Sequence, residues 1–136
     1  MKIIIVDDNT EFRYTLKLFI EQKLNHTVIA DAASGEVFLE LDPTILREAD
    51  IILMDIMMNQ IGGIEATQRI TWKHNHLKII AVTMHIEKVF LAQILEAGFK
   101  GCVFKSNIFL TLEKALQEVH AGRVFINEQL LSNGYN

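Results

Sequence analysis

An α/β fold, with five parallel strands in the order 2-1-3-4-5 and helices on both faces, is the architecture this sequence predicts. Three observations carry the prediction. Short apolar runs alternate with helix-like stripes along the chain, the pattern of successive βαβ units. The runs are continuously apolar rather than alternating, as strands buried on both faces are. Four of them also end in polar groups: Ile3–Val6 in Asp7-Asp8, Ile51–Met54 in Asp55, Lys78–Val82 in Thr83, and Cys102–Phe104 in Lys105. With right-handed crossovers, a doubly wound sheet brings all five groups to its carboxyl edge, where such sheets place their sites.

The elements follow in order. Residues 2–6 form the first strand. Phe12, Leu16, Phe19, Ile20 and Leu24 recur at helical spacing, with Asn9 or Thr10 as the cap. Residues 27–30 form a short second strand. Ser34 opens a second helix carrying Val37, Phe38 and Leu41, which Asp42-Pro43 interrupts before a further turn through Leu46. Residues 50–54 are the third strand. After Gly62-Gly63 comes a third helix with Ile64, Ile70 and Trp72, and then a polar loop, His74-Asn75-His76. Residues 78–82 are the fourth strand, and a fourth helix from about Glu87 to Ala97 stops at Gly98. Residues 101–104 are the fifth strand. A fifth helix carries Ile108, Leu112, Leu116 and Val119 and ends at Gly122. Residues 1–122 are therefore expected to be one domain. Residues 123–136 are expected to be a tail or the start of a linker, with Val124-Phe125-Ile126 extended in character.

The 136 residues are half apolar, enough for one core without staples, and carry a net charge of −4. A mildly acidic surface is a poor match for nucleic acid or an anionic membrane. The lone Cys102 excludes an intrachain disulfide, and no apolar stretch approaches a membrane span, so a cytoplasmic location is expected.

Asp7, Asp8 and Asp55 converging in one pocket would repel strongly, and Lys105 offsets only part of that. A hard divalent cation, Mg²⁺ or Mn²⁺, suits a few carboxylates plus water. Beside it, a carboxylate can accept a phosphoryl group covalently. The roles divide accordingly. Asp55 attacks phosphorus. Asp7, Asp8 and Asp55 hold the metal, with the Met57 backbone carbonyl as a further ligand. Lys105 and Thr83 bind phosphoryl oxygens.

With those residues in hand, the chain resembles the response-regulator receiver domains of two-component signalling. Asp7-Asp8, Asp55, Thr83 and Lys105 match the family's five signature positions. Val6-Asp7-Asp8-Asn9, Met54-Asp55-Ile56, Gly62-Gly63-Ile64-Glu65-Ala66 and Ala97-Gly98 match the flanking text. The resemblance spans residues 1–122 and implies a flavodoxin-like receiver fold. It implies phosphotransfer from a sensor histidine kinase to Asp55, and a switch of the face made by the fourth helix, fifth strand and fifth helix. Thr83 would take part in that switch. Lys105-Ser106-Asn107 and the Val119–Phe125 stretch look most like receivers of LuxR/NarL-type transcription factors. DNA would then be bound only through a C-terminal helix-turn-helix domain outside this chain. A homodimer through either the switch face or the first and fifth helices is implied as well.

Several positions depart from the family pattern. Cys102 stands where the family's switch aromatic lies, and a small thiol cannot repeat an aromatic swing. Asn59, Ser106 and Met84 replace a proline, a frequent proline and a small residue. In the family the positions of Met57 and His85 flank the path of the hydrolytic water, so the resemblance implies that apolar Met57 slows phosphoryl loss. A stand-alone receiver acting by protein–protein contact, with weak or no phosphorylation-dependent switching, is the alternative reading. A dedicated enzyme is not expected. Aspartyl-phosphate phosphatases place an Asp-x-Asp after the first strand, and a flavodoxin needs a Ser/Thr/Gly-rich phosphate loop there. Asp7-Asp8-Asn9 is neither.

Overall fold

A computed structural model of the chain describes residues 1–84 and 88–127, the side chains of residues 88–90 excepted. His85 and most of the expected tail therefore lie outside the described residues. The elements run β1 (Lys2–Val6), α1 (Thr10–Gln22), β2 (Thr27–Ala32), α2 (Gly35–Leu39), α3 (Pro43–Glu48), β3 (Ile51–Asp55), α4 (Gly63–Lys73), β4 (Ile79–Thr83), α5 (Lys88–Ala97), β5 (Gly101–Phe104), a 3-10 turn at Lys105–Asn107, α6 (Ile108–His120) and β6 (Phe125–Ile126).

The strands form one sheet in the order β2-β1-β3-β4-β5-β6, every neighbour parallel. The expected order 2-1-3-4-5 is present, and the fold class stands. The number of strands is corrected from five to six. Two residues are too few to show a periodicity, so the extended character of Val124–Ile126 did not reveal a partner. The partner is β5: Phe125 N–H donates to the Lys100 carbonyl (3.1 Å) and Asn127 N–H to that of Cys102 (3.0 Å).

Alternation along each strand divides the core between two faces. Ile4, Val6, Ile52, Met54, Ile79, Ala81, Cys102 and Phe104 pack with Phe38, Leu46, Ala66, Ile70, Ile94 and Ala97 from α2 to α5. Ile3, Ile5, Ile51, Leu53, Ile80, Val82 and Val103 pack with Leu16 and Ile20 of α1 and with Ile108, Leu112 and Leu116 of α6. Both faces are thus covered, as a parallel sheet requires.

Local chemistry sets the helix ends. Asn9 caps α1, its side chain accepting from Phe12 N–H at 2.9 Å. Ser34 caps α2, and Asp42 with Pro43 in the first turn starts α3. The expected second helix is therefore two short ones, and the expected fourth and fifth helices are α5 and α6. Gly98, at φ +111°, ends α5 as its position predicted. Trp72 lies in α4 as expected and is 90% exposed.

Candidate functional site: an acidic pocket with one lysine

The register fixes the pocket. Val6 pairs with Met54, Asp55 with Val82, and Thr83 with Phe104. Asp7, Asp55, Thr83 and Lys105 therefore leave the sheet at nearly one level along its carboxyl edge. Asp7, Asp55 and Thr83 are buried, and Asp8 is exposed at the rim.

One carboxylate oxygen each from Asp7, Asp8 and Asp55 lies within 4.8 Å of the others. At an effective dielectric of about 20, each like-charged pair at that spacing repels by roughly 3–4 kcal/mol. Lys105 answers part of this, with Nζ 2.7 Å from Asp7 Oδ2 and 3.6 Å from Asp55 Oδ2. Asp7 Oδ2 is buried and makes no hydrogen bond among the described residues, so the contact with Lys105 is an ion pair off the hydrogen-bonding direction. Three carboxylates and one ammonium leave a formal charge of −2. One divalent cation cancels that, and hard oxygen donors with an open rim suit Mg²⁺ or Mn²⁺. The donor set therefore fits the expected ion.

Asp55 registers the crowding. Burial and the nearby Asp7 push its carboxyl up to about 6, against the opposing pull of Lys105 and of a hydrogen bond from the Met57 backbone. Cys102 differs in kind: it is fully buried in the sheet, and burial pushes its thiol up to about 12, which leaves it unreactive.

Close approach shapes the loop after Asp55. A Cβ on Gly63 would stand 2.1 Å from the Asp55 carbonyl oxygen, so only glycine lets α4 start against the end of β3. Glu36 of α2 accepts from Ile61 N–H at 2.7 Å and steadies the same loop from the side.

Three neighbours of the pocket were not foreseen in these roles. Arg13 donates to the Asp7 carbonyl (2.7 Å) and pairs with Asp31 (3.4 Å), fixing the peptide that joins Asp7 to Asp8. The Phe12 ring lies under Lys105, 4.6 Å from Nζ to its centroid, a cation–π contact worth about 0.5–1 kcal/mol. Asn127 holds the turn after Lys105. In the sequence Phe12 merges with the apolar stripe of α1. Arg13 sits one turn after Asn9, the only hint that it could reach back to the strand end. Met57 is 78% exposed and Met84 68% exposed, beside Asp55 and Thr83 in the chain, whereas Met54 is core. His74 and His76 meet edge to face, 6.0 Å between ring centroids, on the loop between α4 and β4.

A doubly wound α/β domain with an acidic, cation-ready pocket and one lysine at its carboxyl edge is the class that fold and site define. The chain belongs to the response regulator receiver domain family, whose pattern it matches over residues 3–117. It is 35% identical to the transcriptional regulatory protein YdfI of Bacillus subtilis (strain 168) over 130 residues, 96% of this chain and 60% of that protein. The chain thus spans about 60% of the length of such curated relatives. Among solved structures it resembles a LuxR-family two-component response regulator from Aurantimonas sp. SI85-9A1, at 30% identity and a TM-score of 0.87, covering 98% of this chain and 94% of that one. The isolated receiver domain of RcsB from Salmonella enterica serovar Typhimurium, with the phosphomimetic BeF₃⁻, shares the fold at 24% identity and a TM-score of 0.86, covering 98% and 97% of the two chains. No described helix is long and apolar enough to cross a membrane.

Proposed function

We propose that this receiver accepts a phosphoryl group on Asp55 from the phosphohistidine of a cytoplasmic sensor kinase. The observation that carries the reading is the convergence of Asp7, Asp8 and Asp55 on one cation-sized space, with Lys105 between Asp7 and Asp55. A carboxylate oxygen of Asp55 forms the new P–O bond, the P–N bond breaks, and the imidazole leaves with the electron pair. Asp7, Asp8, Asp55 and the Met57 carbonyl would hold Mg²⁺ or Mn²⁺, which would supply positive charge to offset that of the phosphoryl oxygens. Lys105 passes from Asp7 to a phosphoryl oxygen, and Thr83 donates a hydrogen bond to another. The chain assists its own phosphorylation and dephosphorylation and is not a dedicated enzyme.

The change in charge biases a two-state equilibrium on the α5/β5/α6 side. Output is transcription through a C-terminal helix-turn-helix domain, since relatives such as YdfI are named as transcriptional regulatory proteins. One observation favours a second reading, a receiver that signals by contact with little phosphorylation-dependent switching: Cys102, fully buried, occupies the place of the switch aromatic.

Incubation with acetyl phosphate and Mg²⁺ followed by mass spectrometry tests the first reading. A phosphoryl adduct is expected on the wild type and none on Asp55→Asn. An adduct that persists in Asp55→Asn, or is missing from both, defeats it.

A further inference from the structure

Lys105 sits on a short turn, Lys105–Asn107, and that turn is gripped by a residue outside the four strands that build the pocket. Asn127, just past β6, is 3% exposed. Its Nδ2 donates to Asn107 Oδ1 at 3.1 Å, and its backbone N–H donates to the Cys102 carbonyl at 3.0 Å. One buried asparagine thus holds the chain three residues before Lys105 and two residues after it. The pairing of Phe125 with Gly101 and of Ile126 with Cys102 seats the same segment along β5. Asn127 lies ten residues beyond the last residue of the family match, 127 against 117.

A buried carboxamide is costly to leave unpaired, so this contact separates two states more sharply than an exposed one would. We infer that Asn127 is a positioning residue for Lys105, and that through the same clasp the occupancy of the pocket is coupled to the docking of residues 124–127 on β5. The inference rests on the phosphoacceptor reading of Asp55.

Lys105 now divides itself between Asp7 and Asp55. A phosphoryl group on Asp55 draws the ammonium to a new anion, and the backbone of the turn follows. Asn107 moves with it, and the Asn107–Asn127 bond either yields or carries β6 along. Cys102 has no ring to swing, but its carbonyl is one of the two points the clasp holds. The signal in this chain is therefore relayed by backbone and carboxamide, toward residues 124–127 along β5. Linkage makes the effect reciprocal: a clasp that senses the pocket also sets its geometry.

Amide hydrogen exchange on the full chain, with and without Mg²⁺ and beryllofluoride, tests this. In the wild type we expect slower exchange in the loop after Asp55, and a change of about threefold or more at Phe125 and Asn127. In Asn127→Ala the loop should still respond while the amide of Phe125 no longer does. A loop that responds while Phe125 and Asn127 stay unchanged in the wild type overturns the clasp and leaves the phosphoacceptor reading intact. A loop that does not respond removes both. Acetyl phosphate kinetics give a second measure. Asn107→Ala and Asn127→Ala should each lower the maximal rate about three- to tenfold, with little change in the half-saturating concentration. The double variant should be no slower than the slower single. Fully additive losses would mean that the two residues act independently, and would overturn the clasp.

Discussion

Asp55 is the residue whose charge the fold resists most visibly. Its carboxyl, at about 6 in the folded protein against an ordinary 3.8, holds its proton more tightly in the native state than in the unfolded one. The contribution of Asp55 to stability is therefore fully present below about pH 3.8, falls as pH rises through 6, and is absent above that. In metal-free buffer Asp55→Asn should be more stable than wild type at pH 7, by on the order of 1–2 kcal/mol, with the gap closing towards pH 4. Urea denaturation at a series of pH values measures this, and a gap independent of pH would contradict it. Added Mg²⁺ should close the gap at pH 7, because it binds the native pocket of the wild type more tightly. Met57 makes a separate claim at the lip of the pocket. At 78% exposure it can be replaced without disturbing the core. Met57→Asn supplies a polar group where water would approach the acyl phosphate, and faster loss of the phosphoryl group is expected. A variant that dephosphorylates no faster than wild type would rule out a protective role for this methionine.

At the scale of elements, the junction of β3 and α4 is the tightest constraint on the site. Gly63→Ala places a methyl group 2.1 Å from the Asp55 carbonyl oxygen. Backbone atoms on both sides must move, so we expect a loss of roughly 2–4 kcal/mol together with impaired phosphorylation. Thermal unfolding and the acetyl phosphate assay measure the two effects, and a variant with wild-type values in both would show that the junction yields freely. This junction also marks how far the sequence could be read. Continuous apolar runs such as Ile51–Met54 announce strands buried on both faces, and four of the five runs end in a polar group, so sheet order and the convergence of those groups were both legible. Gly62-Gly63 announced a turn, but not that Gly63 must lie against Asp55. Phe12 was concealed in the apolar stripe of α1, and Arg13 among the polar positions of the same helix. The Phe125–Ile126 strand was concealed by its length, and with it the grip of Asn127 on the lysine turn. What escaped is tertiary in each case: contacts set by how elements meet, which no local period encodes.

For the whole molecule, the question is which surface reports the state of Asp55. Taking a switch from mostly off to mostly on requires about 5.5 kcal/mol of differential stabilisation, more than one relocated lysine contact supplies, so a second binding event that favours the on state would help. Self-association is such an event, and the α1/α6 side offers the chemistry for it. These helices pack on the same face of the sheet through Leu16, Ile20, Leu112 and Leu116. Outside, Phe19 and Phe109 meet edge to face at 5.0 Å, Leu110 is 88% exposed and Tyr14 is 64% exposed. Single exposed apolar residues are ordinary, but an aromatic pair bridging two helices beside a leucine open to solvent is a patch of the kind that marks interfaces. Lys105 links this side to the pocket, since the turn it occupies runs directly into α6 and its ammonium rests on Phe12 of α1. Phosphorylated wild type should therefore dimerise through α1 and α6. Leu110→Glu should remain monomeric while still acquiring the phosphoryl group on Asp55, because its side chain lies outside the core. Analytical ultracentrifugation beside mass spectrometry separates the two effects. A Leu110→Glu protein that dimerises as strongly as wild type when phosphorylated would move the interface elsewhere, with the α5/β5/α6 side the next to test.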